Sequence, residues 1–287
     1  MSKLTGVITA IVTPFKNGKF DKKSYLRLLH AQMNDGIRGF VVGGTTGESP
    51  TLDPKEIKTL FDITRVEGGR DVTVIVGTGS NSTKETCDFS KEVSRWKPDA
   101  LLVIVPYFNK PTQAGLEAHF TKVADASKAP VLMYNAPSRT VVSIDAATVG
   151  KLSKHKNIVG IKEATGNLDL FKAMKKASRK GFLFLSGDDG TAVEFAAAGG
   201  EGLISVCSHV MGKEMIDMMS RKATAEFKEY YSHLMKWLYI ETNPIAVKAA
   251  LHFMGVIDSM ELRLPMTELD RKYHKDLKAC LKSLRKI

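Results

Sequence analysis

Short, almost uninterrupted apolar runs recur along the chain, and each closes on a cluster of Gly, Pro, Thr, Asp or Asn. They occupy residues 7–12, 39–42, 72–76, 100–105, 131–134, 158–161, 182–185 and 202–206. A strand with one wet face alternates polar and apolar residues. A run that is apolar throughout suits a strand buried on both faces, as parallel strands are. Between the runs the apolar spacing becomes helical. Within 21–35, Tyr25, Leu28, Leu29, Gln32 and Met33 fall on related faces. Residues 54–68 open on Pro54, which suits a first helical turn, and close at Gly68, a helix stop. Segments 83–95, 113–127, 145–154, 168–177 and 191–198 continue the alternation. Eight strand–loop–helix units in succession predict an α/β protein, a (β/α)8 TIM barrel. The plainer alternative, a doubly wound sheet, rarely needs eight consecutive parallel strands, and its glycine fingerprint for nucleotides is missing.

After Ser208 the strand signal stops. Residues 213–254 read as helices, 255–265 as a loop and 270–284 as one more helix. This predicts a barrel domain over 1–224 and a C-terminal helical extension over 225–287, suited to assembly.

The chain has 287 residues, 43% hydrophobic and 25% charged, which are ordinary values for a soluble protein. A chain this long buries about three-quarters of its surface and needs no staple. Cys87, Cys207 and Cys280 form no CxxC pair, which excludes a disulfide framework and a cysteine zinc site. No N-terminal signal core and no run of about 20 apolar residues is present, so a cytoplasmic enzyme or binding protein without a membrane partner is expected. The net charge of +11 raises the question of nucleic acid. Its lysines are spread out, however, and the densest cluster, 172–180, alternates with apolar residues as a solvated helix face does. Nucleic acid is therefore not an expected partner; the field suits small anionic substrates.

Barrel enzymes carry their chemistry at the C-terminal ends of the strands. Among those ends, Lys162 follows its apolar run without a break. Strand-end lysines commonly snorkel to water. The alternative is an amine whose apolar surroundings favour its neutral, nucleophilic form. A Schiff-base lysine needs a proton shuttle, and no histidine lies at a strand end. Tyr134 closes the preceding strand and can serve if a hydroxyl relay adjusts it, although buried tyrosines also merely cap strands. Thr45 or Thr46 can supply the relay hydroxyl. The Gly-Gly-Thr-Thr-Gly stretch also exposes amides that can cradle a carboxylate. Arg139, just beyond the tyrosine, is either a surface arginine or a bidentate carboxylate clamp. The pair Asp188–Asp189 fits turn chemistry better than a metal site. The seven histidines show no zinc-binding spacing, so no metal is expected.

The motifs GTTGES (44–49), PYFNKPTQ (106–113), YNAPSRT (134–140), GIKEATG (160–166), LSGDD (185–189) and NPIAVK (243–248) occur in that order. With them the chain resembles the class I pyruvate-dependent aldolases, and within these the dihydrodipicolinate synthase family, over nearly its whole length. The resemblance implies a lyase that condenses pyruvate with L-aspartate-4-semialdehyde to 4-hydroxy-tetrahydrodipicolinate, in diaminopimelate and lysine biosynthesis. It implies that Lys162 forms the Schiff base, Tyr134 moves protons and Thr45 relays them. Thr46 would hold the pyruvate carboxylate, Ile204 and Gly187 would line the pocket, and Arg139 would bind the semialdehyde. No separate cofactor is implied, and the family's usual state is a homotetramer, a dimer of dimers.

Two positions depart from the family pattern. Family members commonly read Pro-Tyr-Tyr-Asn, the second tyrosine completing a neighbouring subunit's relay; here that position is Phe108. The loss of the hydroxyl implies a slower enzyme or a different aldehyde. Ser49, Asn81, Glu85 and Tyr107 match an inhibitory lysine site, but Pro54 and Ile57 stand where sensitive members often carry histidine or another ring. Weak or absent lysine inhibition is expected. Sister aldolases of N-acetylneuraminate or 2-keto-3-deoxy sugar acids share the lysine, tyrosine and threonine motifs but usually lack the arginine. A retired barrel with a binding role is the third reading, against which the intact Lys162, Tyr134 and Thr45 weigh.

Overall fold

The structure is a computed structural model that describes residues 4–222 and 225–287. Every apolar run forms a strand, with ends shifted by one or two residues. The strands are β1 (Gly6–Ala10), the pair β2 (Phe15–Lys16) and β3 (Lys19–Phe20), β4 (Gly39–Val42), β5 (Thr73–Gly77), β6 (Ala100–Ile104), β7 (Val131–Asn135), β8 (Ile158–Glu163), β9 (Leu183–Ser186) and β10 (Gly202–Ser205). Their order, β1-β4-β5-β6-β7-β8-β9-β10, returns to β1 as a closed barrel, with β2 and β3 outside it as a small antiparallel ladder. The fold is the expected (β/α)8 barrel. Burial explains the apolar runs: β4 and β10 are buried at every residue, and β7 likewise.

The helices are α1 (Lys22–Asn34), α2 (Pro54–Gly68), α3 (Thr83–Ser94), α4 (Gln113–Ala126), the single turn α5 (Pro137–Thr140), α6 (Ala146–Leu152), α7 (Leu168–Ala177), α8 (Ala192–Ala197), α9 (Ser208–Asp217), α10 (Ala225–Leu238), α11 (Ile245–Phe253) and α12 (His274–Ser283). Among the described residues, six start on a side-chain cap that accepts from an orphan amide: Asp21, Ser82, Thr112, Asp145 and Asn167 each do so, and Asp53 of α2 is the sixth. At α2, Asp53 and Glu56 form a reciprocal capping box.

The chain groups into two compact units. One comprises residues 73–204 with the N-terminal residues through Gly6. In it β5 to β10 run parallel, the register of β7 on β8 shifting once between Val131 and Leu132, and α3 packs on α4, α4 on α6 and α6 on α7. An aromatic cluster fills the gap behind β9, with Phe171 stacked on Phe195 at 3.9 Å and meeting Phe184 edge-on.

The other unit comprises 7–72 and 205–287. There β1 pairs with β4, and α11 packs on α9, α10 and α12. Helical structure resumes at Ser208, five residues before the expected 213. The cause is a buried polar spine. Thr9 Oγ1 meets Gln32 Oε1 at 2.7 Å and Ser208 Oγ at 2.9 Å, and His209 Nε2 accepts from the Val12 amide at 3.1 Å. Because Nε2 accepts, the His209 proton sits on Nδ1, which faces the Val206 carbonyl at 2.8 Å. The strands are short enough that these side chains finish what the ladder leaves open.

Candidate active site

Register decides which side chains of the first unit meet. Tyr134 on β7 lies opposite Lys162 on β8, and Lys162 opposite Leu185 on β9. Paired positions share one face of a sheet, so the phenol and the amine project together. The Lys162 Nζ lies 4.2 Å from the Tyr134 ring centroid, and each residue is only 7% exposed. A cation over a tyrosine face is attractive and holds the amine beside the phenol. Gly187 lies on the same face: a Cβ there would fall 2.7 Å from Lys162 Cε. The glycine thus makes room for the lysine stem.

The next residues along, Asn135 and Glu163, are also paired but face the other way. Asn135 Nδ2 donates to Glu163 Oε2 at 2.8 Å, and the Thr165 amide donates to Oε1 at 2.6 Å. Burial holds the Glu163 pKa above its usual value, and these hydrogen bonds offset that only in part. This pair braces the strand ends from behind. Ile204 is buried on β10. Arg139 is exposed on α5, whose turn is closed by its own amide on the Ala136 carbonyl at 2.8 Å.

The loop after β6 carries Tyr107, which is exposed, and Phe108, which is 88% exposed at φ 73°. Asn109 Nδ2 donates to the Asn81 carbonyl at 2.7 Å, which joins this loop to the start of α3. There Glu85 Oε2 accepts from Ser80 Oγ at 2.9 Å. Asn81, Glu85 and Tyr107 therefore belong to one neighbourhood. The Asp188–Asp189 pair behaves as a turn: Asp188 Oδ2 accepts from the Thr191 amide and hydroxyl. Among the described residues no group of three His, Cys, Asp or Glu side chains is placed to hold a metal.

The threonine loop belongs to the second unit. Gly43 follows β4 at φ 62°, where a side chain would also press on Ile57 Cγ2 at 3.2 Å. Thr45 is half-buried, Thr46 is buried, and Ser49 opens a short 3-10 turn. The loop folds back on itself: the Glu48 amide donates to the Thr45 carbonyl at 3.0 Å and the Ser49 amide to Gly44 at 3.2 Å. Three residues without an assigned role from the sequence secure it. Asn243 Nδ2 donates to Thr46 Oγ1 at 2.9 Å, and Lys248 Nζ donates to the buried Glu48 carboxylate at 2.6 Å. The available signal was the NPIAVK motif, in which a charged residue sits inside an apolar helical run.

A model of the dihydrodipicolinate synthetase family matches residues 3–284. The 4-hydroxy-tetrahydrodipicolinate synthase of Bdellovibrio bacteriovorus is 46% identical over 291 residues, covering 99% of each chain. Among solved structures, the dihydrodipicolinate synthase of Thermotoga maritima superposes with a TM-score of 0.94 at 39% identity, covering 99% of both chains. That of Cyanidioschyzon merolae, with lysine bound, gives 0.94 at 34% identity over all of both chains.

Proposed function

The chain belongs to the dihydrodipicolinate synthetase family, and on that premise we propose that it is a lyase condensing pyruvate with L-aspartate-4-semialdehyde to 4-hydroxy-tetrahydrodipicolinate, on the route to diaminopimelate and lysine. Lys162 is the nucleophile. Its neutral amine adds to the keto carbon of pyruvate, and the adduct loses water to an imine. Loss of a methyl proton turns the imine into an enamine, whose carbon attacks the aldehyde carbon of the second substrate. The aldehyde oxygen takes a proton and becomes the new hydroxyl. The substrate's own amine then adds to the imine carbon and expels Lys162 as the ring closes. One water leaves overall, and no oxidation occurs, so a Schiff base on the protein does the work of a cofactor.

Tyr134 moves the protons in this scheme and Thr45 relays them. Thr46 and the amides of its loop hold the pyruvate carboxylate, Ile204 and Gly187 shape the pocket, and Arg139 binds the semialdehyde carboxylate. One observation carries the assignment: Lys162 and Tyr134 are both buried, in register, with the amine 4.2 Å from the ring. Phe108 reaches a neighbouring subunit's site in a homotetramer, where its ring excludes water but relays no proton. Residues 1–224 are the catalytic barrel and 225–287 the helical extension that serves assembly. This reading places the work in the cytoplasm, on small-molecule substrates without membrane or nucleic-acid partners; among the described residues no helix is long and apolar enough to cross a membrane. Ser49, Asn81, Glu85 and Tyr107 are the positions that match the family's inhibitory lysine site, and weak or absent inhibition by lysine belongs to this reading.

The test is the steady-state rate with pyruvate and L-aspartate semialdehyde, coupled to the downstream NADPH-dependent reductase. Lys162→Ala should lose at least ~10³-fold in kcat, and borohydride should trap a pyruvate adduct on Lys162. An adduct without turnover would point to another aldehyde, as in the sister aldolases. No adduct at all would sink the Schiff-base reading.

A further inference from the structure

We propose that Glu48 and Lys248 are positioning residues for the threonine loop: their buried ion pair, together with Asn243, holds Thr45 and Thr46 in the geometry that pyruvate requires. The proposal rests on the reading of those threonines as pyruvate-handling groups.

Glu48 is the third residue after Thr45, and its amide closes the loop on the Thr45 carbonyl at 3.0 Å. It is 3% exposed and sits at φ 59°, a left-handed conformation that is unfavourable for a non-glycine residue. Glycine would remove that cost, so the position is held by what the carboxylate does. Oε1 accepts from Lys248 Nζ at 2.6 Å and Oε2 from the Arg263 amide at 3.0 Å. Both oxygens are thus fixed, and with them the plane of the loop's far end.

Lys248 is fully buried. Its ammonium also donates to the Glu261 carbonyl at 2.7 Å and lies 4.4 Å from the Phe15 ring centroid. The Arg263 guanidinium lies 4.3 Å from the same ring, and its fork grips Glu56 at 2.6 and 2.7 Å. Five residues before Lys248, Asn243 donates to Thr46 Oγ1. A single segment, 243–248, therefore grips the loop at two points.

Folding alone gives little reason for this arrangement. Replacing a buried ion pair with apolar residues of similar volume is often neutral or stabilising. What apolar packing lacks is direction. A salt bridge with both carboxylate oxygens and two of the three ammonium protons engaged favours one loop conformation, and catalytic groups must be held within a fraction of an ångström.

The test compares Lys248→Met, Glu48→Gln and the double variant Glu48→Gln/Lys248→Met in the full-length enzyme. Each is read by thermal melting, by the rate of borohydride trapping with pyruvate, and by KM for both substrates. Lys248→Met should slow trapping on the order of 10²-fold, the scale of a 1 Å misplacement, raise the pyruvate KM and leave the aldehyde KM within about twofold. The double variant leaves no lone buried charge, so its Tm should recover while its trapping stays at least about tenfold slow. A double variant that recovers both Tm and trapping would make the pair merely structural and overturn the proposal. So would single variants that fold and trap at the wild-type rate. If the double variant does not fold, Glu48→Gln decides by the same rule, a tenfold loss supporting the proposal and full trapping overturning it. A wild-type protein that gives no pyruvate adduct would instead overturn the reading of the site, and this proposal with it.

Discussion

At Gly187 a methyl group would occupy the space of the Lys162 stem, and it would also meet Ala164 Cβ at 2.7 Å. Neither neighbour is a flexible end that can swing away, since the stem is anchored on β8 and its amine on Tyr134. Gly187→Ala should therefore cut borohydride trapping with pyruvate by about 10²-fold while the barrel still melts cooperatively; an unchanged trapping rate would show that the lysine stem has another route. Phe108 poses the opposite case. It is a large aromatic residue in left-handed backbone with almost nothing covering it, a conformation kept where surrounding contacts or function demand it. Phe108→Tyr restores a hydroxyl, and a positioned proton-transfer group is worth about 10²–10⁴-fold. A kcat gain of roughly tenfold is expected, part of that range being already met by other groups. An unchanged kcat would show the hydroxyl to be immaterial. The identities of these residues were legible in the motifs. Their backbone conformations were not, because φ at one loop residue leaves no periodic trace.

Helices and strands were legible where burial imposes a period. The apolar runs stood out because both faces of each strand are covered, and the helices because their caps are short polar side chains at predictable places. The β2–β3 ladder was missed, since two residues are too few to show alternation. The start of α9 was missed for another reason: Ser208 spends its side chain on Thr9 of β1 and His209 on the Val12 amide just beyond it, and Met211 interrupts the helix at φ −135°. Within α4, His119 carries a testable consequence. Its Nδ1 faces Thr83 Oγ1 at 2.9 Å, and Nε2 has no hydrogen-bond partner among the described residues. Burial pushes its pKa down to about 4. The unfolded chain binds that proton near pH 6.5 and the folded one only near 4, so stability is complete above 6.5 and falls as the pH drops through this window. His119→Leu should flatten the decline in Tm between pH 6.5 and 4.5; an equally steep decline would assign it to other groups. At α2, Asp53→Ala removes half of a capping box and should cost about 1 kcal/mol in urea unfolding.

Over the whole chain the net charge is +11, its lysines spread along the sequence. Both proposed substrates carry carboxylates, so the field should speed their encounter. Raising the salt from about 20 to 500 mM should lower kcat/KM for pyruvate severalfold and leave kcat within about twofold, because the field is screened within a few ångströms at high salt. A flat kcat/KM would remove any steering role. Lysine provides a second whole-molecule test. Ile57 is buried, packed toward Gly43 of the threonine loop, and Pro54 occupies the first turn of α2. Neither offers an aromatic ring or a hydrogen-bonding side chain to a bound amino acid, so millimolar lysine should inhibit weakly or not at all in the steady-state assay. Strong inhibition would assign recognition to Ser49, Asn81, Glu85 and Tyr107 alone.

The sequence by itself determined the class of fold and the order of its units, because the burial of a strand or helix face is written into local spacing. It also determined which residue types stand at the strand ends. Tertiary structure decided how those residues are held. Lys248 meets Glu48 across 200 positions and Asn243 meets Thr46 across 197. Such pairings follow from where distant loops arrive in space, and no period along the chain records them. The one trace they leave is a lysine inside an apolar helix, whose partner only the folded chain reveals.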